Sequence, residues 1–367
     1  MTLRVDIAGG GIGGLALAAV LQEFGGIEYR VFEQAPELKA VGYGLTLQKN
    51  ALQALDAVGL GHHVRTKGEP IRLGQIRQPS GRVLASAPIQ LCAIHRATLL
   101  SALAERVPAT AIHTGQRLEA PTDATVTIAA DGLHSTFRRQ VAPGEAELRD
   151  SGYTAWRGLA PRTADIDRAL AARAVSEAWG RGTRFGVVPV DARRVYWFAV
   201  APVEPLRDPE LAWRFLHDTF RDWHQPIGFL LEQTSPDTIL ESRIVDRLPI
   251  PTWHAGRVIL LGDAAHPMTP NLGQGGCQAI EDAVVLGHLL RLCRDGHLAE
   301  NEVAARYEAR RRTRAYDIVS QSFEIGRIAR ITNPVVVALR DLAFRFMPAR
   351  IQERRLASIL TFPGVEN

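Results

Sequence analysis

The feature that most restricts this chain lies at its start. "LRVDIAG" reads as a buried strand that breaks into a glycine run and leads into "IGGLALAAVLQEFG", an Ala/Leu-rich stretch with helical spacing. After Gly25-Gly26 a second strand pattern, "IEYRVFE", ends on Glu33. Strand, glycine turn, helix and strand form a βαβ opening. Gly9, Gly11 and Gly14 fall on the G-x-G-x-x-G pattern, with Ile12 at the start of the helix. The first glycine permits a tight turn, the second lets a pyrophosphate approach the backbone, and the third allows close helix–strand packing. The helix N-terminus then favours the phosphate charge. Glu33 stands nineteen residues after Gly14, placed to accept hydrogen bonds from both ribose hydroxyls of an adenosine. A glycine turn kept for packing alone would not explain Glu33. An acid there also disfavours a 2′-phosphate, so the expected adenosine belongs to NAD or FAD rather than NADP.

Further along, "RATLLSALAERV" has the pattern of an amphipathic helix, and "ATVTIAADG" that of a strand ending at an acid and a glycine. From about Ser151 the texture changes. "YTAWRGLAP", "TRFGVVPV" and "RRVYWFAV" are β-branched and aromatic runs punctuated by Gly and Pro, which predicts a mostly antiparallel sheet, with a helix around "PELAWRFLHDTF". After "WHAGRVILLGD" the chain returns to α/β texture and becomes helical to its end. This order predicts a discontinuous nucleotide-binding domain with a second domain inserted into it. Pockets form preferentially at such junctions.

Composition narrows the partners. With 46% hydrophobic and 22% charged residues the chain reads as globular, and no apolar run approaches the roughly 20 residues that span a bilayer. The N-terminus lacks a signal-peptide shape, so a cytoplasmic location without stable membrane insertion is expected. The formal charge of +4 is carried almost wholly by arginine, spread along the chain without a nucleic-acid-binding pattern, so no nucleic-acid partner is expected. Cys92, Cys277 and Cys293 show no metal-ligand spacing, and no metal is expected. His62-His63 reads as a solvated loop.

Two more acids end apolar runs: Asp131, followed by Gly132 with Ser135 and Arg138 beyond, and Asp263, preceded by Gly262. Alone, each is compatible with a turn or a helix cap. Together with the glycine turn they resemble the FAD-dependent aromatic hydroxylases, the single-component flavoprotein monooxygenases typified by para-hydroxybenzoate hydroxylase. The glycine fingerprint, the "DG" motif (Asp131, Gly132) and the "GD" motif (Gly262, Asp263) occur in that family's order. "IHRATLLSAL" matches its arginine helix, and "TPNLGQGGCQAIEDA" is similar to the branch with urate hydroxylase, zeaxanthin epoxidase and salicylate hydroxylase. The resemblance runs to about Arg314. Two departures stand out. The stretch between the arginine helix and Asp131 is too short for the family's small β-meander, and Gln48 replaces a frequent proline.

The resemblance implies an α/β fold: a Rossmann-like FAD-binding domain (1–74, 92–150 and 253–330), an inserted antiparallel substrate domain (75–91 and 151–252) and a C-terminal helical tail (331–367). It implies FAD with NADH or NADPH as transient co-substrate and O2, and hydroxylation of an aromatic or heteroaromatic small molecule through a flavin C4a-hydroperoxide. Glu33 would hold the ribose, Arg96 would contact the flavin side, and Asp263 would bond the ribityl chain. Gly273, Gly275 and Gly276 would face the isoalloxazine ring, and Asp131-Gly132 would serve both FAD and the nicotinamide cofactor. Alternatives are an alkene epoxidase, a flavin oxidoreductase without oxygen insertion, or a non-catalytic flavin-fold binding protein.

Candidate substrate-facing residues are Tyr43, Trp156, Arg184, Tyr196 and Phe198, each of which also fits plain core packing. No general base is assigned, and His266 reads as structural rather than catalytic. A monomer or homodimer is expected, with the tail packed over the cofactor domain or at a dimer contact in preference to a membrane surface.

Overall fold

The computed structural model describes residues 3–38, 42–144, 147–170, 173–346 and 357–365. The chain opens with β1 (Arg4–Ala8), α1 (Ile12–Phe24) and β2 (Glu28–Glu33). It continues through β3 (Gly44–Gln48), α2 (Lys49–Asp56), α3 (Gly61–Arg65), β4 (Glu69–Arg77), β5 (Val83–His95), α4 (Arg96–Ala104), β6 (Ile112–Thr114), β7 (Val126–Ala129) and α5 (Thr136–Val141). The central part holds β8 (Arg149–Pro161), α6 (Ala164–Ala169), β9 (Ala174–Trp179), β10 (Arg184–Pro189), β11 (Arg194–Ala201), α7 (Pro209–Phe220), α8 (Ile227–Glu232) and β12 (Leu240–Asp246). Last come β13 (His254–Ala255), β14 (Val258–Leu260), α9 (Gly275–Arg294), α10 (Glu300–Ala329) and α11 (Pro334–Phe346).

These strands form two sheets. The smaller runs β13-β14-β7-β1-β2-β6, all parallel except the β13 edge. Its parallel strands lie in the doubly wound order 3-2-1-4-5, whose switch point falls between β1 and β7. Helix α1 is apolar on every side because it is sandwiched: Leu15 to Leu21 are all fully buried between this sheet and α9. Gly287 of α9 allows that approach, since a Cβ there would lie 2.5 Å from Val20.

The larger sheet runs β12-β8-β11-β10-β9-β4-β5-β3 and is antiparallel except for the β4–β9 pair. It takes in β3 and the whole of β4, so its first excursion begins at Gly44 rather than at residue 75. The short glycine-bearing "GLTLQ" gave little strand signal; its pairing with β5 supplies what the local sequence lacks. Residues 115–125 between β6 and β7 form no strand, so the shortened meander segment is only a link.

Period-two alternation gives the large sheet two unlike faces. Trp156, Phe185, Val187 and Trp197 pack against Leu216, Phe220, Ile227 and Leu230 of α7 and α8. Tyr196 and Phe198, with Leu159 and Val188, lie on the opposite face with Tyr43 and Leu91. The last described residues return to the first domain, where Phe362 N–H donates to Gln53 (3.0 Å). Helix α11 instead lies by the large sheet: Phe344 meets Trp179 edge-on and Arg340 donates to Gly180 O (3.2 Å). Residues 347–356 of the expected tail lie outside the described residues. No described helix is long and apolar enough to cross a membrane.

Candidate active site

Strand register assembles the three motifs. Ala8 pairs with Ala129, and Ala129 with Leu260, so β1, β7 and β14 end level with one another. Gly9, Asp131 and Gly262 therefore emerge together at the carboxyl edge of the sheet, at the switch point where ligands of such folds bind. Gly9 adopts φ +110° against the Ala130 carbonyl, and a Cβ on Gly14 would collide with the Gly9 carbonyl oxygen. A Cβ on Gly11 would meet nothing within 4 Å: that glycine borders open space. Glu33 is engaged more locally than expected, accepting from Gly10 N–H and Ala35 N–H (both 2.8 Å). It fixes the glycine turn, and each oxygen retains further acceptor capacity. Asp131 accepts from Thr136 N–H through Oδ2 (2.9 Å), while its buried Oδ1 has no partner among the described residues.

The GD turn is held from three sides. Gly262 N–H donates to Asp282 of α9 (3.0 Å). His266 Nε2 lies 2.5 Å from the same Asp282 oxygen. Arg138, in the helix after the DG motif, donates to the carbonyls of Ala264 (3.1 Å) and Ala265 (2.8 Å). Behind them, Arg311 of α10 bonds the other Asp282 oxygen (2.7 Å) and also pairs with Glu281, which Arg314 grips as well. His266 is buried and braces this turn through Asp282. Burial opposes ionisation of Asp282, but His266 and Arg311 outweigh it and hold the carboxyl below the usual range. Asp263 is shifted the other way. Its carboxylate opens onto the crevice, and the protein packed around it raises its pKa against the pull of His266 and Arg96.

Beyond that turn, Gly273 sits in the left-handed conformation (φ +63°) and α9 begins with no side-chain cap and no acid in its first turn, leaving backbone donors for an anion or a dipole. A Cβ on Gly275 would lie 3.8 Å from Asp263 Oδ1, and one on Gly276 3.3 Å from Ile12 Cδ1, so this loop, the GD turn and the glycine fingerprint border one space. Gln48 pins the loop, donating to Leu272 O (2.6 Å) and accepting from Gln274 (2.9 Å), bonds that a proline there could not make. Arg96 starts α4; its backbone N–H donates to Tyr43 O (2.9 Å), and its side chain lies against Gly42. An unsatisfied Asp131 oxygen, an open backbone cradle at Gly11 and an uncapped α9 together fit a dinucleotide with a pyrophosphate and a flat, electron-rich ring.

The large sheet closes the other side through Asn271. Its Oδ1 accepts from Tyr153 OH (3.0 Å) and Arg184 (2.6 Å), and its Nδ2 donates to Thr269 (2.9 Å) and Ser322 O (2.9 Å). Gly326 of α10 makes room for it. Of the expected substrate residues, Tyr43, Tyr196 and Phe198 cluster on the crevice-facing side of the sheet. Arg184 shares that face but is buried and committed to Glu177 (3.0 Å) and Asn271. Trp156 is a correction: it is fully buried on the helix-covered face, donating to Glu241 (2.9 Å), so it borders the core and not the crevice. Sequence reasoning named Arg138 without a role and missed Asn271, Asp282 and Arg311. The last two had a visible sign, acid and arginine inside otherwise apolar helical spacing; Asn271 had none.

Comparison with known proteins agrees with this geometry. The FAD binding domain family model matches over residues 2–122 and 90–322. The chain is 38% identical to the aurachin C monooxygenase/isomerase of Stigmatella aurantiaca, over 98% of each chain. It is 33% identical to the 2-heptyl-3-hydroxy-4(1H)-quinolone synthase of Pseudomonas aeruginosa, over 99% of this chain and 98% of that one. Among solved structures, Klebsiella pneumoniae HpxO complexed with FAD and uric acid superposes with a TM-score of 0.88 at 27% identity, over 98% and 97% of the two chains. The cofactor is FAD, with NAD(P)H and O2 as co-substrates. The chain belongs to the FAD-binding-domain family of aromatic hydroxylases and is an FAD-dependent monooxygenase.

Proposed function

We propose that the enzyme hydroxylates a planar heteroaromatic ring held between the Gly273–Gly276 loop and the side chains of Tyr43, Tyr196 and Phe198. Gly9–Gly14 would hold the FAD pyrophosphate, Glu33 the adenosine ribose and Asp263 the ribityl chain, while the α9 N-terminus and Arg96 would face the flavin ring. Asp131-Gly132 serves the passage between FAD and the nicotinamide. The observation that carries this reading is the convergence of three strand-end motifs on one crevice whose far wall is the aromatic face of the large sheet. FAD, when bound, supplies electron transfer from NAD(P)H and the activation of oxygen. The chain's own residues orient the ring, exclude water with an apolar wall, and direct backbone dipoles at the cofactor. The ring systems named for the quinolone synthase and the uric acid complex are fused nitrogen heterocycles, the ring class that this reading favours. A cytosolic location and a monomeric or homodimeric state complete the proposal.

The test is a ring panel offered to the yellow holoenzyme under labelled O2. The expected result is ring-stimulated NAD(P)H consumption, with a product that gains one labelled oxygen atom. NAD(P)H consumption indifferent to every ring, with no oxygenated product, would overturn the proposal.

A further inference from the structure

Helix α11 is mounted inside out. Its charged residues Arg340 and Asp341 are buried against the large sheet, while most of its apolar residues face solvent. Arg340 donates to Asp341 (2.8 Å) and to Gly180 O, with its guanidinium over the Trp179 ring, and Asp341 accepts from Gln78 (2.9 Å). Trp179 stands directly across from Arg184 in the β9–β10 pairing, so α11 packs on the crevice-facing side of the large sheet. On the outer side of the helix, Val335, Leu339, Leu342 and Phe346 follow one another at steps of four, three and four residues, the spacing of a single helical stripe, with Val336 beside them. Leu339 is 59% exposed and Phe346 68%. Among the described residues, five of the eleven large hydrophobic side chains that stand exposed belong to this one helix. A single exposed leucine is ordinary, but a contiguous apolar stripe marks a surface that something covers. The helix cannot roll over to hide the stripe, because that would pull Arg340 and Asp341 from their partners.

We propose that α11 docks the enzyme on an anionic bilayer surface, with Val335, Leu339, Leu342 and Phe346 entering the boundary between headgroups and acyl chains. Area favours lipid over a second copy of the chain. Thirteen residues make a helix about 20 Å long and about 10 Å wide, and one face of it falls short of the roughly 800 Å² that each partner in a stable interface buries. The same stripe suffices for an interfacial helix, which sinks only about 5–10 Å. Charge favours an anionic surface. Arg345 is the only charged side chain exposed on α11, and its guanidinium lies 5.6 Å from the centroid of the Phe346 ring, at the end of the stripe. In sequence, the stretch from Arg345 to Arg355 holds four arginines and one glutamate, and the whole chain carries a formal +4. Such cations attract anionic headgroups, while the apolar stripe supplies the depth. The attachment is peripheral and reversible. It places the bilayer on the same side of the large sheet as the aromatic face, and it stands apart from the hydroxylase reading.

The experiment floats holoenzyme with vesicles of phosphatidylcholine alone, or of phosphatidylcholine with about one quarter phosphatidylglycerol, as wild type, L339Q/L342Q, V335Q/F346Q and R345E. Wild type should bind the mixed vesicles about ten-fold or more tightly than the neutral ones, and the difference should shrink in high salt. Each glutamine pair should weaken binding by about ten-fold or more. R345E, which removes an attraction and adds a repulsion, should weaken binding to the mixed vesicles by about five- to thirty-fold and leave the neutral ones nearly unchanged. All variants should keep their FAD, because the outer face of α11 touches neither wall of the crevice. The second glutamine pair repeats the test should the first disturb folding. Wild type that stays unbound to the mixed vesicles overturns the proposal, as does equal affinity for the two vesicles or binding that both glutamine pairs leave intact. A wild-type dimer by light scattering that either glutamine pair splits would also overturn it, and would make a second copy the occupant.

Discussion

The two walls of the crevice, one proposed for the cofactor and the other for the ring, are built by different means. The cofactor wall is mostly backbone: glycine turns, strand ends and the α9 N-terminus, braced from behind by Asp282, Glu281, Arg311 and Arg314. The ring wall is side chains standing on one face of a sheet, joined to the cofactor wall by few polar contacts, with Asn271 as their hub. A backbone surface cannot be altered one residue at a time without disturbing the fold, whereas a sheet face can exchange side chains freely. The division suits a fold that keeps one cofactor while its ring pocket changes.

Removing a brace gives the largest expected effect. Arg311→Met leaves Glu281 paired with Arg314 but takes from Asp282 its arginine partner, leaving His266 and Gly262 N–H. Breaking a buried pair in this way costs about 3–5 kcal/mol, read as a lower denaturation midpoint together with faster FAD release. The ring selectivity of molecules that remain folded should not move, and a change in it would mean the two walls are not separable. Acid sharpens the point. The Asp282 carboxyl is depressed in the folded state, so its contribution is fully present above the ordinary Asp value of about 3.9 and fades as pH falls below that. Acid-induced loss of structure in that range should be shallower in the Arg311→Met protein than in wild type.

The cofactor wall itself is tested at Asp263. In the proposed binding mode, Asp263→Ala deletes a charge-assisted hydrogen bond worth about 1.5–3 kcal/mol, or roughly ten- to hundred-fold in FAD affinity. Because Asp263 is exposed to the crevice, the apoprotein variant should be about as stable as wild type. Unchanged FAD affinity by titration of apoprotein would remove Asp263 from the site.

Asn271 joins the walls and should give a smaller, mixed effect. Asn271→Ala leaves Tyr153 OH and one Arg184 nitrogen without their acceptor, at a cost of about 1–3 kcal/mol. FAD affinity should change little, while the fraction of NAD(P)H that ends in oxygenated product falls. If FAD affinity drops as far as in Asp263→Ala, the loop belongs to the cofactor wall alone.

The contrast between the walls also explains what could be read from sequence. Gly9, Gly14, Asp131 and Asp263 announce themselves because backbone recognition needs particular residues at fixed spacing after strands, and that spacing is local. The ring wall has no such spacing. Whether Trp156 or Arg157 faces the crevice depends on the register of β8 against β11 and β12, and a one-residue shift exchanges them. "AWRG" offers both, and nothing within it says which of the two faces the crevice. Strand β3 was hidden for a related reason: its partner β5 lies some forty residues downstream, and only that pairing makes it a strand. Gln48, noted in sequence merely as a departure from proline, gains its role from Leu272 and Gln274, more than two hundred residues away.

The smallest expected effect is the one that decides the face assignment. Trp156→Phe keeps an aromatic ring in the core against Phe215 but loses the indole donor to Glu241. That carboxylate still accepts from Leu206 N–H (2.7 Å) and Arg207 N–H (2.6 Å), so no buried charge is stranded. The loss is then one hydrogen bond and a little volume, about 0.5–1.5 kcal/mol by thermal or chemical denaturation. Because the side chain is fully buried on the helix side, KM for the ring should stay within about two-fold of wild type. Tyr196→Phe, on the other face and next to Arg157, removes only a hydroxyl yet should move KM further while costing less stability. Reversal of that order, with Trp156→Phe shifting KM and Tyr196→Phe silent, would mean that the aromatic face of the large sheet is not the ring wall.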